Sequence, residues 1–288
     1  MCRHLAYLGE PCSPAELVFT APHALLVQSY APRDMRGGGS VNADGFGLGW
    51  YPDPGAPPQL YRRREPLWTD DTLSALAASV RTKAFVAAVR NGTTGMPVTE
   101  AAAAPFAEDG WLFSHNGVVR GWPQSMTGLA GRLDLGELLT LAAPTDSVLL
   151  WALLRARLRA GEEPLAAVSA LVAEVEAAAP GSRLNFLLTD GETLVGTAWT
   201  HALSWRRTAT GVVLASEPCD PDPTWQPVPE RHAVRVTASG VEISALSGEP
   251  SPDAARSTEA PPPDAALSPG TPSLQSSPSP SLERSPAR

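Results

Sequence analysis

Cysteine is scarce in this sequence, and so are the features that accompany it in exported proteins. Cys2, Cys12 and Cys219 are the three cysteines among 288 residues, and an odd, sparse set does not form a disulfide framework. No apolar run approaches the ~18 residues that a membrane span needs. The N-terminus also lacks the basic and apolar regions of a signal peptide. We therefore predict a cytoplasmic protein with free thiols and no membrane association.

Positive charge is also in short supply. The formal net charge is −8, which argues against a nucleic-acid partner, because nucleic-acid-binding proteins normally present a basic face. The one basic cluster is the run of three arginines at 62–64, which lies in a proline-rich neighbourhood. We predict that these arginines lie in a solvated loop rather than in a phosphate site.

Nucleotide-binding motifs are missing as well. No apparent strand is followed by GxGxxG, and there is no Walker A loop, so the sequence predicts no cofactor. The glycine-rich stretch at 36–50 lacks the Lys-Ser/Thr pair of a phosphate-binding loop. Its glycines are instead predicted to allow close backbone approach or positive φ.

The end of the chain differs in composition from the rest. Residues 247–288 contain ten prolines, ten serines and no aromatic residue. Such a segment buries too little apolar surface to offset the entropy lost on ordering. We predict one domain over residues 2–246, followed by a disordered tail over 247–288.

Apolar patterning within the domain predicts several strands. Short apolar runs at 84–90 and 111–117 end in polar or glycine residues, as buried strands do where they meet a loop. The stretch at 184–199 places Asp190–Gly191 between two apolar runs, which is a strong hairpin signal. Two more hairpins are predicted around Gly211 and Gly240.

Helices are predicted between these strands. Apolar residues have helical spacing at 71–82, at 144–161 and at 163–181. The second of these helices opens on Thr145-Asp146-Ser147, any of which could cap it. Hairpins together with two adjacent helices favour the α+β class, with helices covering antiparallel sheet.

The cysteine at position 2 has a chemical as well as a structural interpretation. If Met1 is removed, Cys2 carries both a thiol nucleophile and an α-amine whose ordinary pKa is near 7.7–8.0, suited to a general base at neutral pH. The alternative is that Cys2 is simply a small buried apolar residue. Taken alone, Cys2 favours the second interpretation.

Three later stretches supply groups that acyl transfer would need. Asn116 and Gly117 follow a predicted strand and could donate N–H groups to an oxyanion, although Asn-Gly is also a common turn. Arg90 stands at a strand end and could bind a carboxylate with two parallel hydrogen bonds, or form a surface ion pair. Asp146 could hold a substrate ammonium or simply cap its helix.

These motifs in this order resemble the class-II glutamine amidotransferases, which are N-terminal-nucleophile hydrolases. The matching stretches are Cys2, RNGTTG at 90–95, HNG at 115–117 and TDS at 145–147, with NADGFGLGW at 42–50 and APF at 104–106 also fitting. The resemblance covers roughly residues 2–215. It implies a four-layer αββα sandwich.

The resemblance also implies a role for each site residue. Cys2 would attack the γ-carbonyl of a glutamyl amide with its own α-amine as base, and Asn116 and Gly117 would form the oxyanion hole. His115 would then have a packing or hydrogen-bonding role and would not be the base.

The remaining implied roles concern the glutamyl group itself. Arg90, supported by Thr93, would bind its α-carboxylate, and Asp146 would bind its α-ammonium. The partner is therefore expected to be a small-molecule γ-glutamyl substrate.

The identity of the leaving amine is a further question. The stretches at 1–9 and 28–52 look similar to a stand-alone branch of the family, the γ-glutamyl-hercynylcysteine S-oxide hydrolases of ergothioneine biosynthesis. The alternative is a glutaminase subunit that supplies ammonia to a separate synthase. Residues that could contact a larger, cationic leaving group are Tyr30, Asp34, Trp50, Trp68 and Trp122. Each could equally be a packing or surface residue, and none is assigned to the site.

Metal binding is a different kind of alternative. After loss of Met1 the chain would begin Cys-Arg-His, and a free amine with a histidine in third position chelates Cu²⁺ or Ni²⁺. No CxxC or HxxxH pair accompanies it in the sequence. We therefore predict no metal.

Overall fold

A computed structural model describes residues 2–35 and 41–246 of the chain. The predicted disordered tail at 247–288 lies outside the described residues, as do the three glycines at 37–39. Every paired strand within the described part runs antiparallel to its neighbour.

The described strands form two sheets. They are β1 (Arg3–Cys12), β2 (Phe46–Trp50), β3 (Gln59–Arg63), β4 (Thr82–Val89), β5 (Phe106–Glu108), β6 (Trp111–Val118), β7 (Arg183–Thr189), β8 (Leu194–Ala198), β9 (Ser204–Arg207), β10 (Gly211–Ala215), β11 (Gln226–Pro227), β12 (His232–Thr237) and β13 (Gly240–Ala245). The first sheet has the order β11-β9-β10-β1-β4-β2-β3, and the second has the order β13-β12-β8-β7-β6-β5.

The described helices are mostly short, apart from two. They are α1 (Leu25–Tyr30), α2 (Asp71–Ser79), α3 (Thr127–Ala130), α4 (Leu135–Leu139), α5 (Asp146–Arg159) and α6 (Pro164–Ala178). Single turns of other helix types occur at Glu16–Thr20, Leu67–Thr69, Glu100–Ala102 and Gln124–Met126.

The two long helices begin where side chains satisfy their free N–H groups. Thr145 accepts a hydrogen bond from the Val148 amide at the start of α5, and Glu163 accepts one from the Ala166 amide at the start of α6. The helix predicted at 71–82 is shorter than expected. It ends at Ser79, because Val80 is already extended and β4 begins two residues later.

Three apolar cores separate four layers. One core lies between the first sheet and helices α1 and α2, a second lies between the two sheets, and a third lies between the second sheet and helices α5 and α6. This arrangement is the predicted αββα sandwich, and the α+β class is confirmed.

Alternation along the strands decides which side chains enter the space between the sheets. In β1, Ala6 belongs to the core between the sheets, whereas Leu5 and Tyr7 pack towards α1 and α2. In β7, Leu187 enters the core between the sheets, and Leu188 faces α5 and α6. Even-numbered residues of β1 and odd-numbered residues of β7 therefore face each other across the sandwich.

The three predicted hairpins are all present. They are β7–β8, with Gly191 at φ +92°, then β9–β10 and β12–β13. They are consecutive in the chain, but β9–β10 belongs to the first sheet and the other two belong to the second.

Glycines in the stretch at 36–50 have the predicted function where the structure describes them. Gly45 has φ +120°, and a Cβ on Gly47 would lie 2.6 Å from the carbonyl oxygen of Ala104. A Cβ on Gly49 would lie 2.7 Å from the Leu112 side chain. Strand β2 can therefore pass this close to its neighbours only without side chains at these positions.

The prediction of a solvated loop for the arginines at 62–64 was wrong for two of them. Arg62 and Arg63 form the end of β3, and Arg62 Nη1 donates to the carbonyl oxygen of Ala103 at 3.3 Å. Only Arg64 lies beyond the strand. Edge strands often carry charged side chains, which discourage pairing with other chains.

Candidate active site

Cys2 lies immediately before β1, which is an interior strand of the first sheet. Its carbonyl oxygen accepts a hydrogen bond from Arg3 Nη1 at 2.9 Å. Its Sγ lies 3.8 Å from the carbonyl oxygen of Asn91, and the residue is partly exposed. The Cys2 carbonyl is thus fixed by the neighbouring Arg3 side chain, while the residue as a whole remains partly exposed.

A buried ion pair between Arg3 and Glu217 lies next to Cys2. Arg3 is fully buried, its Nε lies 2.5 Å from Glu217 Oε1, and its Nη2 donates to the Asp34 carbonyl oxygen. Glu217 also accepts hydrogen bonds from His23 Nε2 at 2.7 Å and from the Asp34 amide at 3.1 Å.

The pKa of Glu217 reflects these partners. Burial alone would raise the pKa of this carboxyl group. The hydrogen bonds from His23 and from the Arg33 and Asp34 amides, with the charge of Arg3, outweigh burial and lower it to about 2. Glu217 is therefore ionised at neutral pH and balances the buried charge of Arg3.

Arg90 directly follows β4, beside the start of β1. Its Nη1 donates to the carbonyl oxygens of Pro97 at 2.9 Å and Asp44 at 3.4 Å, and the residue is 8% exposed. Among the described residues it has no carboxylate partner. Thr93 is exposed in the same loop, where its carbonyl oxygen accepts from the Met96 amide.

Asn116 reaches across to the first sheet. Its Nδ2 donates to Ser216 Oγ at 3.0 Å, and Ser216 Oγ in turn accepts from the His4 amide at 3.0 Å. The Asn116 side chain is fully buried, and its Oδ1 has no hydrogen-bond partner among the described residues. Ser216 Oγ therefore links the Asn116 side chain to the backbone of His4, which is two residues after Cys2.

Gly117 is confined by strand pairing. A Cβ at this position would overlap the carbonyl oxygen of Arg183, which lies on the neighbouring strand β7. A residue without a side chain is therefore required between Asn116 and Val118.

Asp146 joins the end of β6 to the start of α5. Its Oδ2 accepts from the Val119 amide at 3.0 Å, and its Oδ1 accepts from the Ser147 amide at 2.7 Å. The residue is 5% exposed. The helix cap is Thr145, so Asp146 is not the cap that the sequence also allowed.

His115 has a partner for each ring nitrogen. Nε2 lies 2.9 Å from the carbonyl oxygen of Arg183, which can only accept, so Nε2 carries the proton. Nδ1 then accepts from Ser147 Oγ at 2.9 Å. Burial lowers the pKa of His115, while the nearby charge of Asp146 opposes that shift. This arrangement agrees with the hydrogen-bonding role expected from the sequence.

Three of the predicted site residues, Cys2, Arg90 and Asn116, lie near the same end of the first sheet. Arg3, Val89 and Phe46 are paired in register across the first sheet, so Cys2 and Arg90 emerge side by side. Asn116, on the second sheet, contacts the first sheet by its hydrogen bond to Ser216. Asp146 is bonded to the Val119 amide, just after the end of β6.

Sequence reasoning missed four residues of this region, namely Arg3, Arg183, Ser216 and Glu217. Ser216 and Glu217 follow the apolar run of β10, just as Arg90 follows β4. Polar residues at the end of a buried strand are the signal that could have identified them. Arg183 has no comparable local signal.

Neither a membrane-spanning helix nor a metal-binding cluster occurs in the part of the chain that the structure describes. No helix there is both long and apolar enough to cross a membrane. No group of three or more His, Cys, Asp or Glu residues within 2–35 and 41–246 could hold a metal ion.

Comparison with known proteins identifies relatives over most of the chain. The γ-glutamyl-hercynylcysteine sulfoxide hydrolase of Mycolicibacterium smegmatis is 41% identical over 246 residues, covering 85% of this chain and 100% of that protein. The enzyme of the same name from Mycobacterium tuberculosis H37Rv is also 41% identical, covering 97% of its length.

A solved structure agrees with the fold. The glutamine aminotransferase class-II domain protein from Silicibacter pomeroyi superposes with a TM-score of 0.62 at 23% identity, covering 85% of this chain and all of that one. The model of the family described as class-II glutamine amidotransferases matches residues 16–210. The family model, these relatives and the αββα sandwich show that the chain belongs to the class-II glutamine amidotransferase family.

Proposed function

We propose that this protein hydrolyses γ-glutamyl-hercynylcysteine sulfoxide, releasing glutamate and hercynylcysteine sulfoxide. The observation that carries the proposal is 41% identity across the full length of a relative with that named activity. The site supports it with one guanidinium, Arg90, and one carboxylate, Asp146, which match the carboxylate and ammonium of a glutamyl group.

The proposed mechanism begins with removal of Met1. The Cys2 thiol then attacks the γ-carbonyl carbon, and its proton passes to the α-amine of the same residue. The carbonyl oxygen becomes an oxyanion stabilised by the Asn116 amide and the Gly117 N–H. The carbon–nitrogen bond breaks as the departing amine takes the proton, leaving a glutamyl thioester on Cys2. Water hydrolyses this thioester to glutamate and restores the thiol.

The glutamyl group would be held by the residues around Cys2. We propose that Arg90 binds its α-carboxylate, with Thr93 in the same loop, and that Asp146 binds its α-ammonium. The carboxylate of Asp146 already accepts from the protein, but a carboxylate offers about four acceptor positions. His115 is proposed to orient Ser147 and the strand pair rather than to move protons.

Two broader expectations accompany this function. We propose that residues 2–246 form the catalytic domain and that 247–288 are not needed for hydrolysis. We also propose a cytoplasmic location, which the three unpaired cysteines support, since reducing conditions preserve free thiols.

Replacement of Cys2 tests the mechanism. Cys2→Ala should lower kcat/KM for γ-glutamyl-hercynylcysteine sulfoxide by at least about 1,000-fold, because the nucleophile is lost. Cys12→Ala, at the other end of β1, is the matched control and should retain activity. Intact mass should show that Met1 is absent from the active protein.

The same assay tests the substrate. The conjugate should be hydrolysed with a much higher kcat/KM than glutamine. Equal values for the two would instead support a glutaminase that supplies ammonia, and activity retained by Cys2→Ala would contradict the proposed nucleophile.

A further inference from the structure

The Arg183 guanidinium lies beside the proposed oxyanion donors and has no role in the mechanism described above. Arg183 is the first residue of β7 and pairs with Val118, directly after Gly117. Its Nε is buried and has no hydrogen-bond partner among the described residues, and Arg183 forms no ion pair there. Buried polar groups are nearly always hydrogen-bonded, so this nitrogen calls for an explanation.

Arg183 as a whole is partly exposed, and the buried arginines of the described chain provide a comparison. Arg3 pairs with Glu217, and Arg155 pairs with Glu108 and Glu137. Arg183 and Arg90 both lack a carboxylate, and both lie at the edge of the sandwich where Cys2 emerges.

The strand pattern places Arg183 on the same side as the proposed oxyanion donors. Leu187 enters the core between the sheets, so Asn185 and Arg183 project to that side by alternation. Asn116 is the register partner of Asn185 and projects the same way, towards Ser216. Asn185 is fully occupied, because its Nδ2 donates to the His201 carbonyl and its Oδ1 accepts from the Trp199 amide.

Electrostatics agrees with this placement. Burial and the nearby charge of Arg120 lower the pKa of Arg183, and the negative charge of a Cys2 thiolate would oppose that shift. Arg183 therefore lies within electrostatic range of the nucleophile. A further anion at this point would relieve the repulsion between the two arginines.

The chemistry of the substrate supplies such an anion. A γ-glutamyl amide of an α-amino acid carries two carboxylates. One belongs to the glutamyl group and is proposed to bind Arg90. The other is attached to the α-carbon next to the scissile amide nitrogen, so it must lie just beyond the reacting carbonyl. Glutamine lacks this second carboxylate.

We infer that Arg183 binds the α-carboxylate of the departing amino acid and so selects γ-glutamyl amides of α-amino acids over glutamine. The inference rests on the proposed function, since it concerns the leaving group of that same reaction. The planar guanidinium of Arg183 would donate two parallel hydrogen bonds to the carboxylate oxygens.

Two substrates that differ by this carboxylate alone test the inference. The first is γ-glutamyl-hercynylcysteine sulfoxide, and the second is its analogue built on cysteamine in place of cysteine. The wild-type enzyme should prefer the first by about 10- to 100-fold in kcat/KM, the usual effect of a hydrogen bond to a charged group. Arg183→Met should abolish most of that preference by lowering kcat/KM for the carboxylated substrate far more than for the analogue.

Matched variants separate binding from folding. Arg120→Met removes an exposed neighbouring charge and should keep the wild-type preference. Arg183→Lys keeps the positive charge but loses the planar guanidinium, so it should show an intermediate preference. It replaces Arg183→Met in the assay if that variant is unstable in a thermal melt.

Each contrary result has a distinct meaning. An equal fall on both substrates, or a wild-type enzyme with no preference between them, would overturn the inference and leave the proposed function intact. Hydrolysis of glutamine alone, with both conjugates refused, would overturn the proposed function and the inference with it.

Discussion

Glu217 connects several segments around the nucleophile through a single carboxylate. It pairs with Arg3, which holds the Cys2 carbonyl, and it accepts from His23 and from the Asp34 amide. Glu217→Gln keeps the volume but removes the charge, which leaves a fully buried guanidinium unpaired. We expect the free energy of unfolding to fall by about 3–5 kcal/mol, measured by urea denaturation. Because Cys2 would lose its support, kcat should fall more than KM rises.

The matched control is an ion pair in solvent. Arg64 and Glu65 lie 3.1 Å apart, and both side chains are more than half exposed. Exposed pairs contribute little to stability, so Glu65→Gln should leave the denaturation curve and kcat near those of the wild type. Equal effects of the two substitutions would show that the buried pair has no special role in positioning Cys2.

At Gly117, strand β6 passes so close to the β7 backbone that there is no space for a side chain. Gly117→Ala would force the new Cβ against the carbonyl oxygen of Arg183, which belongs to rigid strand backbone. The pair would have to separate, and we expect a loss of about 3 kcal/mol or more in the free energy of unfolding. Gly128→Ala in α3 is the matched control, because nothing lies within 4 Å of the added atom. It should be neutral or slightly stabilising. An unchanged melting temperature for Gly117→Ala would contradict the close pairing.

Elements with strong local signals could be predicted from the sequence. Helices α5 and α6 have apolar spacing and side-chain caps, and the β7–β8 hairpin has Asp190–Gly191 at its turn. The sheet to which each hairpin belongs could not be predicted, because turn chemistry says nothing about partners distant in the chain. The early end of α2 also depends on a distant partner, because Thr82 pairs with Cys12 of β1 and is therefore part of β4.

Some of the proposed site residues could be predicted from the sequence, and others could not. Cys2, Arg90, Asn116 and Asp146 could be proposed because each lies in a motif with its own chemical meaning. Arg183 could not, since it stands between a helix end and an ordinary apolar strand. The role that we infer for it depends on the register that sets it opposite Val118.

The whole sandwich buries ionisable groups in different protonation states. Burial, with the charges of His115, His201 and Arg3, lowers the pKa of His4 well below 6.5, and burial also lowers the pKa of His115. Near pH 6.5 and below, the folded protein therefore binds protons at these two imidazoles less readily than the unfolded chain does. Glu217 titrates at lower pH, because its pKa in the folded protein is about 2.

These groups predict a two-step loss of stability in acid. As the pH falls from about 6.5, proton binding to the unfolded histidines should favour unfolding, and the urea midpoint should decline. Below the ordinary glutamate pKa of 4.5, protonation of Glu217 in the unfolded chain should add a second decline. His4→Asn, which can still pair with Ser114 Oγ, should flatten the first step and leave the second unchanged. Urea titrations at half-unit pH intervals measure both steps. A midpoint that stays constant between pH 7 and pH 5 would mean that the imidazoles are not held neutral, because a buried neutral histidine must make folding weaker wherever the unfolded chain takes up its proton.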